Sequence, residues 1–173
     1  MEDNTKYYKD GVARVLDVLK NALGTNGLIK FYFNGQPELS NSMLPCIMVS
    51  EENGVIESSA TGTDLITENI KIIIALNKRD DAGASMDTDL TEFKLRALVK
   101  GQDPTTKEYM PNTILYALRK HITLDDAVVD SQIRTYFGDD GNAGVNIRGA
   151  DAVTQEAIVE LTLQRRAIVS SRD

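Results

Sequence analysis

The fold is decided by Leu65-Ile66-Thr67-Glu68-Asn69-Ile70-Lys71-Ile72-Ile73-Ile74-Ala75-Leu76. Its even positions are Ile66, Glu68, Ile70, Ile72, Ile74 and Leu76; its odd positions begin Thr67, Asn69 and Lys71. This period of two, with β-branched residues crowded on one side, predicts a long strand with one buried face. Ile73 and Ala75 make the second face apolar too near the end, which predicts a strand inside a sheet and not at its edge. Nothing in the segment is equipped for chemistry.

Upstream, Pro45 opens a strand over residues 46–50, where Pro is tolerated at the first position. Glu51-Glu52-Asn53-Gly54 reads as a turn, residues 55–60 as a weaker strand, and Thr61-Gly62-Thr63-Asp64 as the turn into the central strand. Residues 35–44 are polar and contain Pro37, the signature of an exposed loop. Residues 28–33 form a short aromatic-rich strand closed by Asn34-Gly35. Before it, Tyr8, Val12, Val15, Leu16, Leu19 and Leu23 recur at spacings of three and four, predicting an amphipathic helix over residues 4–23 that ends at Gly24.

Downstream, the charged residues 78–87 form a loop, and Asp87 or Thr88 caps a helix whose stripe is Leu90, Phe93, Ala97 and Leu98. Gly101 ends it, and residues 102–110 connect it to a shorter helix with Pro111 in its first turn. Ile114, Leu115 and Leu118 are that helix's buried face, while Arg119, Lys120 and His121 suit the negative end of its dipole. Residues 127–137 alternate as a strand, and residues 138–144 form a flexible connection. The last strand sets Ala157, Val159, Leu161 and Leu163 against Glu160, Thr162 and Gln164. Helix, strands, two helices, strands is the order of an α+β fold in one domain, residues 1–173. Its predicted core is a mostly antiparallel β-sheet of about four to six strands, with the N-terminal helix and the central helix pair packed on it.

The chain has 173 residues, enough for a real core without staples. A net charge of −7 argues against an electrostatic grip on nucleic acid. The aromatic share is 6% with no Trp, which disfavours ligand pockets and base-stacking platforms. Cys46 is the only cysteine, so no internal disulfide forms. Met1-Glu2-Asp3-Asn4 is not a signal-peptide start, and no apolar run reaches membrane-spanning length, so the expected setting is a cytoplasm, with no membrane.

Each candidate site has a plainer reading. Asp139-Asp140-Gly141-Asn142 superficially matches a calcium loop, but the twelfth position holds Ala150 and the flanks are strands. His121 is the sole histidine and sits at a helix end, where a structural or solvated role outweighs that of a catalytic base. Cys46 lies in an apolar strand with no base nearby, as an inert thiol would. No phosphate-binding glycine motif is present, so the sequence calls for no catalytic residue, metal or cofactor. Arg165-Arg166 is less ordinary: one of the two must face the apolar side, either at a frayed strand end or against an acidic partner.

The layout resembles the tail terminator proteins of long-tailed bacteriophages. The resemblance rests on a first helix, then the strand entered through Leu44-Pro45-Cys46-Ile47-Met48-Val49-Ser50-Glu51, a hairpin into the long Ile-rich strand, two helices and closing strands. The connector Lys100-Gly101-Gln102-Asp103-Pro104-Thr105-Thr106-Lys107-Glu108-Tyr109, leading into Leu115-Tyr116-Ala117-Leu118-Arg119-Lys120-His121, is similar to phage tail or neck proteins of this kind. It implies a non-enzymatic structural virion protein, assembled in the host cytoplasm into a homo-oligomeric ring, usually of six subunits. Such a ring caps the tail tube, stops its polymerisation and joins the tail to the head connector. Its implied partners are further copies of itself, the tail tube protein and the connector or neck protein, with genomic DNA passing through the lumen without specific binding. The central strand is longer and richer in isoleucine than the pattern demands, which keeps another neck, connector, tube or baseplate subunit as an alternative. An unrelated non-enzymatic binding module is the second alternative. Within the chain, the connector residues Asp103, Lys107, Tyr109 and Met110 are the candidate protein interface, with Tyr109 as the kind of side chain that anchors one.

Overall fold

In the computed structural model, the described residues are 10–24, 27–58, 62–78, 88–121, 123–124, 127–139, 147–148 and 154–168. The isoleucine-rich segment lies within a strand, β4 (Thr63–Asn77), that runs through the middle of the sheet. Around it, in chain order, stand α1 (Gly11–Leu23), β1 (Phe31–Asn34), β2 (Leu39–Ser40), β3 (Cys46–Ser58), α2 (Thr88–Lys100) and α3 (Ile114–Lys120). Then come β5 (Thr123–Leu124), β6 (Ala127–Asp139), β7 (Ile147–Arg148) and β8 (Thr154–Ile168). Among the described residues the main sheet has six strands in the order β1-β3-β4-β8-β6-β5, and β2 pairs with β7 in a separate parallel ribbon. All pairings in the main sheet are antiparallel except β1 with β3. The fold is α+β, with α1, α2 and α3 against one face of that sheet.

The two faces of β4 separate as the alternation requires. Ile70, Ile72, Ile74 and Leu76 pack with Val12, Val15, Leu16 and Leu19 of α1, Leu95 and Val99 of α2, and Ile114 and Leu118 of α3. Val159, Leu161 and Leu163 of β8 complete the same layer. Each such side chain contributes about 1.5–3 kcal/mol by leaving water, so this layer dominates the stability. Ile73 and Ala75 face the other way, into a smaller cluster with Leu39, Leu44, Cys46 and Met48.

That smaller cluster explains a departure from the sequence reading. Residues 35–44 are not a wholly exposed loop: they join the parallel strands β1 and β3, and a parallel pair requires a crossover. The crossover passes over the sheet face away from the helices, where Leu39 and Leu44 are buried under a 3-10 turn at Asn41–Met43.

The Glu51-Glu52-Asn53-Gly54 turn is likewise absent. β3 continues through it to Ser58, and the pairing with β4 skips a residue between Glu51 and Asn53. A β-bulge absorbs what the polar composition presented as a reversal. The hairpin therefore has arms of thirteen and fifteen residues.

The helices begin and end on identifiable chemistry. Asp10 caps α1, its carboxylate accepting the Ala13 N–H at 2.8 Å, so within the described residues the helix starts at Gly11. The expected residues 4–9 lie outside the described residues. At the other end Gly24 takes φ 64° and donates to the Lys20 carbonyl at 2.9 Å, a conformation glycine adopts without strain. Tyr32 of β1 donates its hydroxyl to the Gly24 carbonyl at 2.6 Å and pins that end to the sheet. In α2 Leu95 and Val99 are buried and Leu98 of the predicted stripe packs against the same core, while Phe93 is 62% exposed and Ala97 is exposed too, so the apolar face is turned from the predicted one. Pro111 precedes α3 instead of entering it, because Thr113 caps the helix and accepts the Tyr116 N–H at 3.3 Å.

Candidate assembly surfaces

The four residues expected at an interface lie together in the connector after α2. Gln102 and Tyr109 bridge as antiparallel partners, and Met110 N–H donates to the Gly101 carbonyl at 2.9 Å, closing the segment into a small hairpin. Asp103 organises its tip by accepting the Thr105 and Thr106 amides, each at 2.8 Å. Those amide bonds, Thr106 first, hold its carboxyl below the usual carboxylate range. Lys107 N–H donates to the Asp103 carbonyl at 2.9 Å, with Lys107 itself at φ 64°. Asp103 is thus occupied with shaping the loop, while Lys107 and Met110 are exposed and Tyr109 is half-buried.

Between this connector and α3 runs a shallow groove of about 880 Å³. Lys107, Tyr109, Met110, Tyr116, Arg119 and Lys120 are among the side chains along it. The Lys120 ammonium sits 5.5 Å from the centre of the Tyr116 ring, a cation over an aromatic face. Tyr116 and the groove-facing role of Arg119 and Lys120 were not anticipated. Their spacing of three and four places them on one side of a helix, the available signal, but the basic pair has an equally good reading at the helix dipole.

A second surface is the far half of the hairpin. β1 pairs with β3 only as far as Val49, so from Ser50 onward the outer edge of β3 has no strand beside it among the described residues. Glu51–Ser58 is exposed throughout, with Val55 at 54% and Ile56 at 66%. An edge strand of this length with two exposed aliphatics is a template for pairing with another chain.

The helix-side face near the hairpin carries a charge cluster. Arg165 of β8 meets Glu68 of β4 at 3.2 Å, both largely buried, so the acidic partner is the alternative realised for the arginine pair, while Arg166 is exposed. Glu51 lies close enough for its carboxyl to be raised by burial and by the charges of Glu68 and Asp10, with Arg165 opposing. On the opposite face, a cleft of about 380 Å³ is lined by polar groups that bond one another. Lys71 pairs with Glu52 at 3.1 Å, while Asn69 donates to Asn53 and accepts from Thr162. This network braces the bulged strand against its neighbours.

Cys46 is buried in the smaller cluster, and His121 is exposed at the end of α3. The calcium-like segment lies outside the described residues but for Asp139, which ends β6. Among the described residues no three His, Cys, Asp or Glu side chains are grouped to hold a metal, and no helix is long and apolar enough to cross a membrane. Comparison with protein families finds none that matches this chain, and comparison with curated proteins finds no relative.

Proposed function

We propose that this chain is a structural subunit of a bacteriophage tail, a terminator that assembles into a ring, caps the tail tube and receives the head connector. The observation carrying the reading is the edge of β3 beyond Val49, which has exposed aliphatics and no strand beside it among the described residues, a surface suited to a neighbouring subunit. The α+β layout, with a first helix, a hairpin into the long strand, a helix pair and closing strands, matches what the resemblance implies. Partners in this reading are further copies of the chain, the tube protein and the connector. With net charge −7 the lumen lets duplex DNA slide, and no submicromolar binding to duplex is expected at physiological salt.

The test is electron microscopy of assembled tails carrying a tagged copy of this chain. A closed ring, six copies around, at the head-proximal end of the tube is the expected image. A ring elsewhere on the particle would make the chain a tube or baseplate subunit, and single copies would end the ring reading.

A further inference from the structure

We infer that the far half of β3 in one copy docks into the connector–α3 groove of the next copy. The inference deepens the ring reading by naming the contact that would build it. The two surfaces are opposite in charge. Residues 51–58 carry Glu51, Glu52 and Glu57 and no basic residue, with Glu52 already paired to Lys71, while the groove lining sets Lys107, Arg119 and Lys120 against Asp103 and Glu108, the Asp103 carboxylate being taken up by its own loop amides. They also match in apolar content. Val55 and Ile56 project from opposite sides of an exposed strand, and the groove offers Tyr109, Met110 and Tyr116. Among the described residues Asn53–Ser58 is registered only with residues 64–69 of β4, and none of them forms a strand along its outer edge.

The docked strand would lay Val55 against the tyrosines and methionine, with Glu57, on the same side of the strand, towards Lys107 and Lys120. Tyr109 and Tyr116 supply large, rigid contact area at low entropic cost, as interface anchors do. The rigidity of the connector, held by Asp103, keeps the groove formed before its occupant arrives. The contact joins two different patches, so it is heterologous: repeated, it closes a ring or continues as a filament.

Single-cysteine chains test this directly. Val55→Cys and Met110→Cys are placed in separate full-length chains of distinguishable mass, mixed, and oxidised mildly; Cys46 is buried and serves as the silent background. The expected product is the mixed dimer, and a single chain carrying both cysteines should give a disulfide ladder. Homodimers alone, or no cross-link at all, would overturn the docking. A charge swap gives the second arm: Glu57→Lys and Lys107→Glu should each weaken association about tenfold, and the two together should restore it. Two losses that simply add would overturn the pairing. The assembly's mass separates this inference from the ring reading. A closed ring without the mixed cross-link overturns the docking and leaves the ring standing, whereas an unlimited ladder of open chains supports the docking and overturns the ring.

Discussion

Glu68 and Arg165 lie diagonally across the β4–β8 pair, with the guanidinium gripping the carboxylate through two bonds, Nη2 to Oε1 at 3.2 Å and Nε to Oε2 at 3.3 Å. The Gly11 N–H donates to the same carboxylate at 3.5 Å, so the first helical amide of α1 also rests on Glu68. Removing Arg165 takes away the guanidinium that balances a largely buried carboxylate. Arg165→Met should therefore cost about 3 kcal/mol, whereas Glu68→Leu combined with Arg165→Met should recover most of it. Urea unfolding of the three variants measures this, and an additive double variant would show that the pair is not coupled.

Gly11 shows the same site from the helix side. A methyl at its Cβ position would lie 2.5 Å from Glu68 Oε2 and 3.0 Å from Leu163 Cδ1. In an open helix Gly→Ala gains about 1 kcal/mol, but here overpacking reverses the sign, and Gly11→Ala should lose roughly 1–2 kcal/mol. A higher Tm for Gly11→Ala would mean that α1 does not approach Glu68 this closely.

Glu51 gives the cluster a pH dependence. Its carboxyl is raised above its ordinary 4.5 by burial and then by the charges of Glu68 and Asp10. A carboxyl raised by folding holds its proton more tightly in the native state, so its ionisation subtracts stability as pH rises through the interval above 4.5. The penalty is present at neutral pH and absent in acid. Glu51→Gln should raise stability at pH 7, by under about 1 kcal/mol for so exposed a group, and the gain should vanish below pH 4.5. A gain that persists in acid would assign the effect to something other than charge.

The two ends of the hairpin should answer differently to the same substitution. Ile72 is wholly buried between β4 and the helices, so Ile72→Ala should cost about 2–5 kcal/mol and Ile72→Asp should prevent folding. Ile56 is 66% exposed, and Ile56→Asp should fold with stability within about 0.5 kcal/mol of the parent. Denaturant midpoints decide both, and an unchanged midpoint for Ile72→Asp would place the core on the wrong face of β4.

Strict periodicity made β4 legible, together with the division of its two faces, because a period of two admits one assignment of sides. Composition misled where pairing overruled it. Glu51-Glu52-Asn53-Gly54 has turn chemistry, yet ladder bonds to β4 on both sides of the bulge hold it in a strand. In α2 the residues Phe93 and Ala97 compete with Leu95 and Val99 for the apolar stripe, and only the tertiary contacts choose between them. Leu39 and Leu44 stood in a polar stretch, and their burial followed from a parallel crossover that no local signal announces. Arg165 announced that it needed an acid, but the register of β4 with β8 was required to identify Glu68.

The connector separates stability from assembly. The bridge between Gln102 and Tyr109 and the bond from Met110 to Gly101 are made by the backbone, and Lys107 projects its ammonium to the Pro104 carbonyl at 2.6 Å on the exposed surface. Lys107→Glu with Tyr109→Ala removes a cation and a ring from the groove while keeping those backbone bonds. The double variant should keep its far-UV spectrum and its Tm to within a few degrees, because surface changes of this kind shift stability by about 0.5 kcal/mol. In the proposed role, tails built with it should fail to cap or to join heads. A Tm far below the parent's would place the Tyr109 side chain in the subunit's own core. Normal stability with normal tails would remove the connector from the interface, since a buried aromatic anchor cannot be lost from a working contact without effect.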